Sequence, residues 1–395
     1  MSRLACVFGS QRKAVSMNQS KVLPIWIWQQ SNWPTFTWQD QRLAPLLIEI
    51  NRLQAKLLGN VGAVDVSGER QTEMDTLLQN AINTSAIEGE QLNVDSVRSS
   101  LAKRLGIEQA GMPPATPQTE GLADLLLDAT RNHGKALTLE RLFDWHKALF
   151  PDGGSVLTPI LVGELRGHDS MQVVSGQIGR QTVHFEAPPR YKLECELKAF
   201  LDWFNRSQSE VDLDPILRAA IAHLWFVSLH PFDDGNGRLA RAITDLALAQ
   251  AEHHSVRFYA MAATIMEQRK AYYEILEHTQ RDGLDITAWL EWFLKMLKQT
   301  MNAAEQRIEI VLQKPRFWHK HAQTVISKRQ IKVLNRLLDA GHDGFEGGLN
   351  TRKYMGLTNV SKATATRDLV DLLEKGCLLQ RPGGGRSTSY EISWV

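Results

Sequence analysis

Apolar residues recur at helical spacing through most of the 395-residue chain. From Gln41 onward, Leu43, Leu46, Leu47, Ile50, Leu53 and Leu57 hold that spacing until Gly59, which supplies a stop. Met74, Leu77, Leu78, Ile82 and Ile87 predict a second helix over residues 69–87, with Gly89 just past its end. Shorter helices are predicted over 93–105, 122–130 and 139–150, the last with Thr138 as N-cap. The period is then lost over 151–190. That stretch is rich in glycine, contains a strand-like run at 181–185 and closes on Pro188-Pro189, so it reads as a β-hairpin. Helical spacing resumes over 191–204, 214–229, 239–251 and from 286 to about 312. Pro315 marks a boundary. Beyond it, helices over 327–338 and 362–375, then strand, turn and strand over 377–380, 381–386 and 389–392, have the order of a winged helix-turn-helix. The fold class is mainly α.

Composition adds compartment and class. The 45 basic and 44 acidic residues nearly cancel, which excludes a global nucleic-acid-type basic excess. Cys6, Cys195 and Cys377 are far apart and lack metal-ligand spacing, as suits a reducing cytoplasm. No apolar run approaches the ~20 residues that span a bilayer. Leu4 to Phe8 is too short for a signal-peptide core, and residues 1–16 are expected to be a poorly ordered extension ahead of Met17. Trp26, Trp28, Trp33 and Trp38, interrupted by Pro34, read as an aromatic cap on a helical core rather than a ligand cage.

The chemistry concentrates at residues 230–241, His-Pro-Phe-Asp-Asp-Gly-Asn-Gly-Arg-Leu-Ala-Arg, between two predicted helices. The first N–H groups of a helix have no intrahelical partner and carry partial positive charge. Gly235 and Gly237 let the backbone turn sharply and approach a ligand, forming an anion nest. Arg238 and Arg241 add cations whose planar forks suit phosphate. Asp234 is the odd sign here, and Mg²⁺ commonly binds through one or two carboxylates plus substrate phosphates. His230 can take a proton near neutrality. A Ca²⁺ loop is excluded by the missing alternation of acids, and a Walker loop by the missing Gly-Lys-Ser/Thr.

These twelve residues match, without departure, the signature of the Fic family, His-Pro-Phe-x-Asp/Glu-Gly-Asn-Gly-Arg-x-x-Arg. The resemblance implies a helical core that moves AMP from ATP onto a protein hydroxyl. His230 would be the base, Asp234 would hold Mg²⁺, and Gly235, Asn236, Gly237 and Arg238 would cradle the α- and β-phosphates. Arg241 would hold the γ-phosphate, and Phe232 would be a core anchor. Thr84, Glu88 and Gly89 likewise match the family's inhibitory motif Ser/Thr-x-x-x-Glu-Gly/Asn. The chain thus resembles the self-inhibited class, in which Glu88 pairs with Arg241 and denies the γ-phosphate its seat. The hairpin would be a flap that aligns the target by main-chain pairing, with Val183, His184, Phe185 and Glu186 at its tip. Tyr259 and Tyr272 would line the adenine pocket. Gly163-Glu164-Leu165-Arg166 departs mildly from the family's Gly-x-Tyr-Arg.

The expected organisation is a small helical domain with the inhibitory helix at 17–110, a Fic core at 111–314 and a winged helix at 315–395. Two other functions stay open: removal of AMP from a modified protein in the same pocket, and a DNA-binding regulator with a nucleotide-sensing core. For the latter, Lys362, Thr364, Thr366, Arg367, Arg381 and Arg386 would face DNA phosphates and bases through segment 316–395. The alternative for that segment is protein docking or dimerisation. A homodimer is a further open expectation, and no membrane partner is expected.

Overall fold

The computed structural model describes residues 26–61, 66–107, 113–155, 158–175, 180, 182–254, 258–341, 347–382 and 388–394. The expectation for residues 1–16 lies outside these, as do those for Gln181 and Arg386. The fold is mainly α. Helices α1 (Asp40–Val61), α2 (Val66–Ile87), α3 (Val94–Leu105), α4 (Pro117–Arg131) and α5 (Leu139–Leu149) come first. Two hairpins follow, β1 (Gly154–Ser155) with β2 (Thr158–Pro159), and β3 (Gln172–Ser175) with β4 (Thr182–Glu186). Then come α6 (Arg190–Arg206), α7 (Pro215–Leu229), α8 (Asn236–Glu252), α9 (Met261–Glu267), α10 (Arg269–Arg281) and α11 (Thr287–Lys320). The chain closes with α12 (Lys328–Ala340), α13 (Thr351–Thr358), α14 (Lys362–Glu374) and the hairpin β5 (Leu378–Gln380), β6 (Tyr390–Ile392).

Helix starts follow local chemistry. Side-chain oxygens of Asn93, Thr138, Asp214 and Ser361 accept the backbone N–H of Ser96, Arg141, Ile216 and Thr364. Pro215, at the first position of α7, loses no hydrogen bond there.

The residues group into two compact units, 1–55 with 70–302, and 56–69 with 303–395. The division falls inside α11, which also runs through Pro315; the expected boundary at that proline is therefore displaced. A proline removes one helical donor, and here the helix continues past it.

In the first unit, α7 is the centre. Every residue from Ile216 to Leu229 is buried, as a helix apolar on all faces requires. Its one charge, Arg218, donates to Phe204 O at 2.6 Å and Ser207 Oγ at 2.9 Å, and burial lowers its pKa to about 10. Trp26 and Trp28 cap the β3–β4 hairpin. Trp26 meets Phe185 edge-on at 5.5 Å, and Trp28 Nε1 donates to Glu186 O at 2.7 Å. The hairpin corrects one expectation. Val183, His184, Phe185 and Glu186 lie within β4, not at a tip: Val183 opposes Val174, and Phe185 opposes Val173. Phe185 is buried because the inward side of the strand rests on Trp26.

The second unit has its own core of Phe317, Val333, Leu334, Leu337, Tyr354, Leu369, Leu372 and Ile392. Asp368 ties it together, accepting Tyr354 Oη at 2.9 Å and Arg329 at 2.5 and 3.0 Å. On α14, Lys362, Thr366 and Arg367 are exposed and Thr364 is half-buried, while Arg381 is paired with Glu391 at 3.3 Å.

Candidate active site

Helix α7 ends where His230 takes up left-handed backbone angles, φ 48° and ψ 59°. That conformation is costly for a side chain with a Cβ and persists only where neighbours enforce it. Arg166 enforces it. Its Nε donates to His230 O at 2.8 Å, its backbone N–H donates to Pro231 O at 3.0 Å, and its Nη2 donates to Pro188 O. The guanidinium is buried and pulled below its ordinary pKa by that burial.

The imidazole of His230 is set up as a base. Its Nδ1 lies 3.2 Å from Val227 O, which can only accept, so Nδ1 carries the proton and Nε2 keeps its lone pair. Burial, helped by Arg166, lowers its pKa against the opposing pull of Glu88 and Asp234. The ring is neutral at pH 7.

After His230 the chain turns tightly into α8. Asn236 staples the turn: its Oδ1 accepts Phe232 N at 3.0 Å, and its Nδ2 donates to Phe232 O at 2.8 Å. The staple holds the Asn236 side chain against the turn. Phe232 is fully buried and stacks on His146 at 4.3 Å, 13° from parallel. His146 Nδ1 accepts Gly163 N at 3.0 Å, which puts the proton on Nε2 for donation to Asp234 O at 3.2 Å. His146 was not visible in the sequence pattern, since no spacing rule links it to residue 234.

Gly235 caps α8 with φ 78° and ψ 0°, an angle that favours glycine. A Cβ on Gly237 would stand 2.1 Å from Glu88 Oε1. The carboxylate of Glu88 therefore rests directly on the N-terminal turn of α8, where orphan N–H groups and the helix dipole attract an anion.

The basic side chains converge on the same place. Arg241 Nη2 donates to Glu88 Oε1 at 2.7 Å and to Thr84 O at 2.9 Å, and Nε donates to Thr84 Oγ1 at 2.7 Å. Arg238 Nη1 donates to Glu90 at 2.8 Å, and its guanidinium lies over the Phe150 ring at 4.8 Å. Desolvation raises the pKa of Glu88, but Arg241, Arg238 and His230 together outweigh it and hold the carboxyl ionised. Arg238 Nε and Arg241 Nη1 are buried without a hydrogen-bond partner among the described residues. Each orphan donor costs about 1–3 kcal/mol, so the site holds more donors than its own carboxylates satisfy. Asp234 leaves its carboxylate largely exposed beside this cradle, with Oδ1 accepting Gly235 N at 2.5 Å.

The sequence thus brought His230, Asp234, Gly235, Gly237, Arg238, Arg241 and Glu88 to one place. The two expected adenine tyrosines are not there as open surface. Tyr259 hydrogen-bonds Glu252, the last residue of α8, so it sits at the far end of that helix, roughly 24 Å from the cradle at 1.5 Å per residue. Tyr272 is buried, and its hydroxyl donates to His223 Nε2 at 2.9 Å in a core network with Thr244. Its neighbour Tyr273 is the half-exposed one, donating to Ile87 O at 3.1 Å at the end of α2. Tyr272 was the expected residue, but which of these two adjacent tyrosines faces out depends on the rotation of α10.

Residues 136–248 match the model of the Fic/DOC family, and residues 26–107 match a domain of unknown function, DUF4172. The chain is 29% identical over 191 residues to a protein of Caenorhabditis elegans named protein adenylyltransferase fic-1, covering 46% of this chain and 34% of that one. It is 27% identical over 248 residues to protein adenylyltransferase Fic of Culex quinquefasciatus, covering 62% and 45%. The chain thus spans less than half the length of either relative. A Fic family protein from Desulfovibrio desulfuricans shares the fold, with a TM-score of 0.51 at 18% identity over 89% of this chain and 95% of that one. A Fic-domain signalling protein from Bacteroides thetaiotaomicron does so at a TM-score of 0.50 and 17% identity, over 66% and 97%. A cradle of this geometry lying inside residues that match that family model, the chain carries a Fic/DOC-family domain at residues 136–248.

Proposed function

We propose that the protein is a Mg²⁺-dependent protein adenylyltransferase, moving AMP from ATP to a Ser, Thr or Tyr hydroxyl of a target protein, and that Glu88 holds it inactive. One observation carries the reading. An ionised carboxylate occupies the N-terminal turn of α8 between two buried arginines that still have unmet donors. An anion with more oxygens than a carboxylate, such as a triphosphate, satisfies that site better.

In the reaction, His230 Nε2 takes the proton of the target hydroxyl. The oxygen forms a bond to the α-phosphorus, the bond from that phosphorus to the bridging oxygen breaks, and pyrophosphate leaves with the electron pair. The α8 N–H groups and Arg238 neutralise charge on the phosphates, which is where phosphoryl-transfer catalysis chiefly lies. Asp234 fits Mg²⁺: one exposed carboxylate beside a phosphate cradle is the donor set that ion takes together with nucleotide oxygens. The ion supplies charge neutralisation of the phosphates when bound. Release from Glu88 frees Arg241 for the γ-phosphate.

The test incubates wild type, Glu88→Gly and Glu88→Gly/His230→Ala with labelled ATP, Mg²⁺ and host lysate. The single variant is expected to label protein at least tenfold faster than wild type. The added His230→Ala is expected to cut that by about 10²–10⁴, the worth of a general base. Equal labelling by all three would sink the proposal.

A further inference from the structure

Two carboxylates, not one, hold the cradle. Glu88 takes Arg241 at 2.7 Å, and Glu90 takes Arg238 at 2.8 Å. Both arginine side chains are almost wholly buried, at 4% and 6% exposure, and each retains a buried nitrogen with no partner among the described residues. The parallel follows from the turn that ends α2. Gly89 has φ 86°, and the N–H of Glu90 folds back to Ser85 O at 3.0 Å. The left-handed glycine thus sends the side chains on either side of it toward the same helix end of α8. Glu90 is itself held from behind, because Gln118 Nε2, on the first turn of α4, donates to its other oxygen. A carboxylate pinned at one oxygen and paired at the other is a built contact rather than a chance surface pair.

Resting on the nucleotide reading above, we infer that Glu90 is a second inhibitory carboxylate, which neutralises the arginine assigned to the α- and β-phosphates. Loss of Glu88 alone then leaves Arg238 engaged, and full ATP affinity requires that both acids let go. Coupling between sites commonly amounts to 5–150-fold in affinity, and a charge contact to a buried arginine belongs within that range.

The experiment titrates Mg·ATP calorimetrically into full-length wild type, Glu88→Gly, Glu90→Gln and the double variant, with label transfer followed in parallel. Glutamine keeps the shape and the acceptor for Gln118 while removing the charge. The double variant is expected to bind ATP about tenfold more tightly than Glu88→Gly. Equal binding overturns the inference, and so does weaker binding, which would make Glu90 a positioning residue for Arg238. Melting curves monitor folding, and Glu90→Ala serves as the second variant should the glutamine form melt early. The two ideas fail separately: a Glu88→Gly protein that neither binds ATP nor transfers label defeats the adenylyltransferase reading, whereas one that does both while Glu90→Gln adds nothing defeats only the second lock.

Discussion

At His230 three independent features meet: a left-handed backbone, a fixed tautomer and a lowered pKa. The first sets the side chain at the end of α7, the second leaves Nε2 with its lone pair, and the third keeps the ring neutral. Burial dominates the shift and lowers the pKa; Glu88 opposes it. Removing Glu88 therefore removes a charge that favoured the imidazolium, so the pKa moves further down. A base works only when unprotonated, so a lower pKa carries the acidic limb of the rate profile to lower pH. The kcat/KM profile of Glu88→Gly is expected to hold its plateau from pH 8 down past the ordinary imidazole value of about 6.5. An acidic limb centred at or above pH 7 contradicts this.

Among the elements, α8 and the end of α2 form the working pair, and Gly237 is where they meet. A methyl group there would stand 2.1 Å from the Glu88 carboxylate and 3.2 Å from Arg241 Nη1. The carboxylate is the end of a flexible side chain and can withdraw, but a bound phosphate needs the same space. Gly237→Ala is thus expected to loosen Glu88 without switching the protein on. In the Glu88→Gly background it should weaken ATP binding at least tenfold by calorimetry, and unchanged affinity would show that phosphate does not approach this turn. The same pair shows how far sequence reaches. Arg241 and the loop glycines were legible because their chemistry is local, and Glu88, 153 residues from Arg241, because it falls on the inhibitory motif of the family the chain resembles. The contacts of Arg166, His146 and Glu90 were not, because no motif assigns them, their partners are 64, 88 and 148 residues away and only tertiary packing brings them in. Pro315 misled for the opposite reason: a local rule about prolines was overridden inside a long helix packed along much of its length.

Across the whole molecule, the cradle is a store of uncompensated donors around which the first unit is built. The buried α7, the His146–Phe232 stack and the Arg166 brace frame the cradle, while the contacts that occupy it come from the last turn of α2, through Thr84, and from Glu88 and Glu90 just after it. Such an arrangement couples ligand binding to the end of α2 and the turn that follows it. The consequence is measurable as stability. A ligand that binds only the folded state adds RT ln(1 + [L]/Kd), about 2.7 kcal/mol at a hundredfold excess over Kd. Wild type, with both arginines occupied by its own carboxylates, should gain little from Mg·ATP, whereas Glu88→Gly should melt several degrees higher with the nucleotide than without it. The variant alone should also melt below wild type, since it leaves Arg241 buried with its charge unpaired, a defect that ordinarily destabilises by a few kcal/mol. A Glu88→Gly protein as stable as wild type without nucleotide, and unmoved by it, would mean that the carboxylate neither balances Arg241 nor stands in a nucleotide's place.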